Sequence, residues 1–513
     1  MLRPALLAPI DAPNQGRAPD PQRRDGAVDL GLDTVVAAMA GGDRHVAEVA
    51  GAVLRADPPE PATARYRQAV LTDFLAAPKL LADLEEVTDR TRAAVRDALV
   101  WRGANPSSLL YGSVSALGHL LDGLHALRKL LTRAQGQWRS AGLSAFAARL
   151  IHEVDDALLG EVADELAALR SADGVRFTAG LGRGNRARAL TPHRGAADVG
   201  GVRARLRAAG RSEVTFTVGD RDEAGAAALE QLRGLALAGV ALTTASAADG
   251  LVAFFDELAD ELAFYRGGGR LHARLSALGL TLSLPEFVND PGTLQVSGLA
   301  DPALALTLDR AVTVNDVNLD GAQLVCVTGA NQGGKSTFLR SLGLAALLAH
   351  AGLHVPAARY VASPRTRVLT HFPREEDPHG RRGRLDDELV RMRALTDALA
   401  ASREEADAGQ PASSGGPDDA LVLLNESFSS TNEREGSAIA RGVVTALADA
   451  GALVVFVTHL HEFASGLAAD ARSDARFLVA ERRPDGQRTF RIVPGDPAEG
   501  AHGHDLAGFT PRD

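Results

Sequence analysis

The chain has 513 residues, 45% of them hydrophobic and 23% charged, a globular composition whose length allows roughly three to four domains at about 150 residues each. Its 55 Lys and Arg against 65 Asp and Glu give a formal charge of −10. That excludes a surface coated in positive charge, the footprint of a general nucleic-acid binder, while leaving room for a local basic patch. A single cysteine, Cys326, excludes both an internal disulfide and a cysteine-built zinc cluster.

Residues 1–28 turn quickly from a short apolar patch to Pro, Asp and Arg and lack the apolar run and small-residue cleavage site of a signal peptide. They read as a disordered leader. From about Leu30 to Leu169, Ala/Leu stretches with charges on one side predict helix after helix. One such helix is expected over residues 66–84, where Val70, Leu71, Phe74, Leu75, Leu80 and Leu81 recur at helical spacing. Residues 170–212 shift to Gly and Arg, with ten arginines, among them Arg183, Arg186 and Arg188, against only Asp173 and Asp198. This is the one strongly basic insert in an acidic chain.

Helical patterning then resumes. Leu251, Phe254, Phe255, Leu258, Leu262 and Tyr265 form one apolar stripe, and Gly267, Gly268 and Gly269 interrupt it. After Pro285 the texture changes to short Val/Leu runs between helices, at 324–328, 420–424 and 453–458, which predicts a parallel sheet in an α/β domain. The boundary is expected near Phe287, giving a helical region over 29–287 and an α/β domain over 288–513. Residues 404–419 read as a flexible surface loop. The apolar segment 342–355 is interrupted by His350 and His354 and falls short of the roughly 20 residues that span a bilayer, so no membrane contact and a cytoplasmic location are expected.

The strongest signal is Gly329-Ala330-Asn331-Gln332-Gly333-Gly334-Lys335-Ser336, which matches G-x-x-x-x-G-K-[ST] between a strand and a helix. Glycines let successive backbone N–H groups turn toward phosphate oxygens, and the following helix adds the positive end of its dipole. Lys335 is placed to reach the β- and γ-phosphates and the Ser336 hydroxyl to ligate Mg²⁺, with Thr337 next in the loop. The Gly180–Gly184 run lacks G-x-G-x-x-G spacing and reads as a loop. The strand at 420–424 leads to Asn425 and Glu426. Glu426 is placed to polarise an attacking water; Asn425, at the metal-side position, keeps an oxygen acceptor for water-mediated Mg²⁺ contact but lacks the charge. A third strand delivers Thr458 and His459, a histidine able to contact the γ-phosphate. His461 and Glu462 have no third ligand at suitable spacing and read as structural, and Cys326, inside a strand, reads as a small buried hydrophobe.

At these residues the chain resembles the ATPase domain of the MutS family, ABC-class ATPases best known from DNA mismatch repair. The family's T-G-P-N-M-G-G-K-S-T is followed from Thr328 to Thr337, with Ala330 for Pro and Gln332 for Met. Its D-E-x-x-x-G-T-S block is mirrored from Asn425 to Asn432 and then Gly436, and its A-T-H-x-H-E-L block from Val457 to Phe463. Weaker echoes are Val314-Asn315-Asp316 and the segment 383–388, where the family places a signature that acts on the partner's nucleotide. The resemblance is firm over about 285–506 and general upstream. It implies a helical core and lever region followed by an ABC-class α/β P-loop NTPase domain with a mainly parallel sheet. It also implies ATP and Mg²⁺ as ligands, ATP hydrolysis at a homodimer interface, and control of a DNA clamp in repair or recombination. The family's mismatch-reading domain with its Phe-x-Glu wedge, and the Smr module of another branch, have no counterpart in these residues, so a shortened member is expected. DNA contact is then confined to the insert, around Arg183, Arg186 and Arg188. Two other readings stay open: a nucleotide-switched interaction protein without direct DNA contact, and a small-molecule P-loop kinase.

Overall fold

Polar caps and prolines set where the helices of the first half begin. In the computed structural model, which describes residues 2–11, 21–170, 176–181, 187–193, 223–365, 367–374, 384–407, 420–483, 485 and 487–497, these helices are α1 (Pro21–Asp29), α2 (Leu32–Ala40), α3 (Arg44–Arg55), α4 (Pro61–Ala76), α5 (Pro78–Leu99), α6 (Pro106–Arg133), α7 (Ala141–His152), α8 (Asp156–Arg170) and α9 (Glu223–Ala277). The Asp43 side chain accepts from the His45 and Val46 amides to cap α3, and Asn105 accepts from Ser108 to cap α6. The single helix expected over 66–84 is two. Pro78 occupies the first turn of α5, where its missing N–H costs nothing but where it cannot continue α4.

Two further expectations are corrected. The helix α9 runs unbroken through Gly267, Gly268 and Gly269. Two of these glycines lie at close packing: a Cβ on Gly267 would sit 3.0 Å from Val46 Cγ1, and one on Gly268 2.9 Å from Leu353 Cδ2. Nor are the described parts of the leader disordered. Leu6 is fully buried, its carbonyl accepts from the Tyr265 hydroxyl at 2.6 Å, and the Ala5 carbonyl accepts from Tyr66 at 2.7 Å. In α1, Asp29 accepts from Thr370 at 2.7 Å and Asp25 pairs with Arg374 at 2.7 Å. Pro4, Ala5 and Leu6 of the short opening patch are thus buried, while Ile10 is exposed.

The chain divides into two compact units, residues 1–4, 77–138 and 143–262 in one, and 5–76, 139–142 and 263–513 in the other. Phe287 lies within the second unit rather than at its edge. The first unit contains α5, α6, α8, most of α9 and an antiparallel hairpin, β1 (Arg176–Leu181) with β2 (Ala187–His193). Gly180 and Leu181 are thus strand residues, and the loop read over Gly180–Gly184 falls partly outside the described residues. The stretch Leu237–Ala277, not 342–355, is by length and composition long and apolar enough to cross a membrane. Within the first unit, however, its Phe254, Phe255 and Leu258 are buried, Asp249 pairs with Arg102 at 2.6 Å and Asp256 with Arg92 at 2.7 Å.

The second unit is a mixed α/β domain. Its strands are β3 (Glu286–Phe287), β4 (Leu294–Leu299), β5 (Asn315–Asn318), β6 (Leu324–Thr328), β7 (Arg359–Ala362), β8 (Arg367–His371), β9 (Ala420–Asn425), β10 (Leu453–Val457), β11 (Ala475–Arg482) and β12 (Arg488–Pro494). Its helices after α9 are α10 (Pro302–Leu308), α11 (Lys335–Ala351), α12 (Arg384–Asp407), α13 (Glu433–Asp449) and α14 (His461–Ala469). A six-stranded sheet runs β12-β11-β6-β10-β9-β8, every pairing parallel except β11 with β12. A smaller sheet, β3-β7-β4-β5, carries mixed pairings. The strands β6, β9 and β10 are buried at every position, as expected of parallel strands covered on both faces. Met392, Leu395, Ala440, Val444, Phe463 and Leu467 of α12, α13 and α14 pack on the sheet, and α11 also packs on β9 and β10. Residues 404–407 extend α12 rather than open the loop expected at 404–419, whose remainder lies outside the described residues.

Replacing Leu6 by Ala is expected to destabilise the protein by about 2–5 kcal/mol, the cost of emptying a buried leucine site, as measured by urea unfolding. A disordered leader would show no change.

Candidate functional site

Parallel register brings three strand ends to one edge of the sheet. Val457 of β10 stands opposite Val327 of β6 on one side and Asn425 of β9 on the other. The residues that follow, Gly329–Ser336, Glu426 and His459, therefore emerge side by side, at the carboxyl ends of the strands where open α/β sheets bind ligands.

The loop from Gly329 to Ser336 turns as its glycines require. Gly329 and Gly334 have φ of 112° and 94°, values open to glycine and strained for other residues. Gly333 has no room for a side chain, since a Cβ would lie 2.7 Å from Ala480 Cβ and 2.9 Å from the Ala330 carbonyl. The Lys335 ammonium is folded into the loop, donating to the carbonyls of Gly329 at 2.8 Å and Ala330 at 3.0 Å. Burial lowers its pKa to about 8; the nearby Glu426 carboxylate opposes this and the Arg488 guanidinium adds to it. A buried cation held by neutral carbonyls, in a cradle a Cβ would fill, fits an anion such as a phosphate chain.

Ser336 donates from Oγ to Asn425 Oδ1 at 2.8 Å, so the two residues read as metal-side do meet. Both supply neutral oxygens, and among the described residues no group of three or more His, Cys, Asp and Glu could hold a metal ion. This donor set suits Mg²⁺ that arrives with phosphates, because that ion keeps much of its water and borrows charge from its substrate. Glu426 accepts a contact from His459, Oε1 to Nε2 at 2.9 Å. That hydrogen bond holds the carboxyl below its usual pKa, with burial opposing and the His459 and Lys335 charges assisting. Glu426 is therefore ionised near neutrality and able to accept a proton. His459, read from the sequence as a phosphate contact, is here paired with Glu426.

Behind Glu426 the chain is braced. The Glu426 amide donates to the Val457 carbonyl at 2.7 Å, and Ser427 Oγ lies 2.7 Å from His371 Nδ1. Burial drives the His371 pKa down to about 4, leaving a neutral ring that stacks beside Phe428. Gly436 lets α13 approach this loop, since a Cβ there would sit 2.6 Å from the Phe428 carbonyl. In the segment read as acting on a partner's nucleotide, Gly383 lies outside the described residues. Glu388 is buried and accepts from Ser430 of its own chain at 2.9 Å, while Asp386 and Asp387 are exposed.

The sequence reading missed the hairpin β11–β12. It presses on the phosphate loop through Ala480 against Gly333, and through Phe490, whose carbonyl would lie 3.3 Å from a Cβ on Gly334. Phe490, Thr337, Gly334, Asn315 and Leu308 line a cavity of about 320 Å³ beside the loop. The one available signal was Asn315, whose side chain accepts from the Ile492 amide at 2.7 Å. The amides of His461 and Glu462 donate to Glu433 Oε1 and so cap α14. Cys326 is buried, which raises its pKa to about 12, so it is inert. Arg188 lies on β2 opposite Gly180, whereas Arg183 and Arg186 lie outside the described residues.

Two family models match the chain, the MutS2 N-terminal domain over residues 60–278 and MutS domain V over residues 325–399. Similar curated proteins include the DNA mismatch repair protein MutS 2 of Halobacterium salinarum, 32% identical over 218 residues, 42% of this chain and 23% of that protein. Another is the DNA mismatch repair protein MutS of Chloroflexus aurantiacus, 31% identical over 220 residues, 41% of this chain and 21% of that protein. The match thus spans less than a quarter of either relative's length.

Because an anion is bound by the ammonium form, affinity for sulfate, whose own charge is fixed in this range, should be flat below about pH 7.5 and fall as pH rises above 8, by up to about tenfold per unit. Calorimetry at several pH values checks this, and Lys335→Ala should remove both the dependence and most of the affinity.

Proposed function

We propose that this chain, which belongs to the MutS family, binds ATP with Mg²⁺ at the phosphate loop, hydrolyses it, and uses the nucleotide state to control its hold on DNA. The observation that carries the reading is the meeting of Lys335, the Ser336–Asn425 pair and the Glu426–His459 pair at the ends of three neighbouring parallel strands. In it the α/β domain is an ABC-class ATPase domain acting in a homodimer, and the protein works in the cytoplasm in DNA repair or recombination. The names of these relatives, DNA mismatch repair proteins, support the DNA-related task.

Each residue has a part set by its environment. Lys335 exchanges two carbonyl partners for phosphate oxygens, a stronger charge-assisted interaction. Ser336 and Asn425 would hold Mg²⁺, which would offset phosphate charge. Glu426 takes a proton from the attacking water, and His459 fixes the orientation of that carboxylate. The cavity lined by Phe490, Thr337 and Asn315 would take the remainder of the nucleotide.

A second reading, a nucleotide-switched interaction protein without DNA contact, is favoured by the net charge of −10. One experiment separates the two. Glu426→Gln should keep ATP affinity while turnover falls roughly 10²-fold or more, and the ATP-loaded variant should bind duplex or branched DNA with an affinity that weakens as salt rises. Reversing the charges of Arg183, Arg186 and Arg188 should abolish that binding and spare ATP binding. Retained turnover in Glu426→Gln would remove Glu426 as the base; DNA affinity that is absent or insensitive to salt would leave the second reading.

A further inference from the structure

The phosphate loop departs from the MutS pattern at Gln332, and the residue facing it comes from a distant part of the chain. Gln332 holds a left-handed backbone, φ 58°, and its side-chain Oε1 accepts from Arg488 Nη1 at 3.2 Å. Arg488 is the first residue of β12, in the hairpin that presses on Gly333 and Gly334. Its guanidinium thus stands at the mouth of the loop, near enough that its charge disfavours the ammonium form of Lys335.

Two cations therefore face one loop, and each is held by neutral oxygens, Lys335 by backbone carbonyls and Arg488 by an amide. A guanidinium presents a planar fork of donors matched to phosphate, and its hydrogen bonds to an anion are about twice as strong as those to a neutral acceptor. We infer that Arg488 is a ligand of the bound nucleotide's phosphates and that Gln332 holds its guanidinium at the loop until they arrive. The inference rests on the nucleotide-binding reading above. It makes Gln332 a positioning residue that competes with the nucleotide for Arg488, so part of the intrinsic affinity is spent on releasing the guanidinium.

The test is calorimetric titration of ATP and ADP into wild-type protein, Arg488→Ala, Arg488→Lys, Gln332→Met and the double variant Gln332→Met/Arg488→Ala. Methionine is as strained as glutamine at φ 58°, so Gln332→Met isolates the side-chain contact. Arg488→Ala should weaken both nucleotides about tenfold, the scale of one charge-assisted hydrogen bond, and Arg488→Lys should recover part of the loss. Gln332→Met should tighten binding about threefold, and this gain should vanish in the double variant, since it acts through Arg488. Wild-type affinity in both Arg488 variants overturns the inference, as does a Gln332→Met gain that persists without Arg488. If the Ala variant does not fold, Arg488→Lys and Gln332→Met carry the comparison. Affinity that is lost in Lys335→Ala but kept in the Arg488 variants overturns this inference alone. A wild-type protein that binds no nucleotide, or a Lys335→Ala protein that binds as tightly as wild type, overturns the nucleotide reading and the inference together.

Discussion

The parallel pairing of β6, β10 and β9 is the constraint on which the rest of the site depends. Side-chain direction alternates along a strand, so a shift of one residue in either pairing would turn Asn425 or the chain entering Glu426 to the wrong face. The register is held because every position of the three strands is buried, with Val, Leu, Cys and Phe side chains filling both faces. Burial of apolar strands thus places polar residues far apart in sequence within hydrogen-bonding reach, Ser336 with Asn425 and Glu426 with His459.

Backbone strain follows the same geography. Seven non-glycine residues among those described have positive φ, and four of them, Gln332, Glu426, Phe428 and Phe490, line or brace this one region. Such conformations cost of order 1–3 kcal/mol each and persist only where surrounding contacts enforce them. Here the enforcement is visible: the Glu426 amide is tied to Val457, Ser427 to His371, and the Gln332 side chain to Arg488. These contacts hold Glu426 and the loop in shape before any ligand is present, which favours the preorganised stabilisation on which phosphoryl transfer relies.

Much of this site was legible in the sequence because its signals are local. The phosphate loop, the carboxylate after β9 and the histidine after β10 each stand directly behind an apolar run, and the structure brings them together. Local patterns misled where packing decided. Gly267, Gly268 and Gly269 look like a helix break, yet they lie inside α9, where neighbouring side chains crowd the Cβ positions of Gly267 and Gly268. The apolar opening residues look like a leader, yet Leu6 is core. The hairpin over the loop was hardly legible: Arg488 and Gln332 lie 156 residues apart, and although Gln332 sits within the phosphate-loop motif, Arg488 belongs to none.

The central claim is that the three strand ends form one site for the phosphate chain of a nucleotide. Equilibrium titration of wild-type protein with ATP, ADP and AMP in the presence of Mg²⁺ tests it most directly. ATP and ADP, which carry the β-phosphate that Lys335 is placed to reach, should bind at least roughly tenfold more tightly than AMP, the worth of one charge-assisted hydrogen bond. Equal affinity for all three would contradict the account.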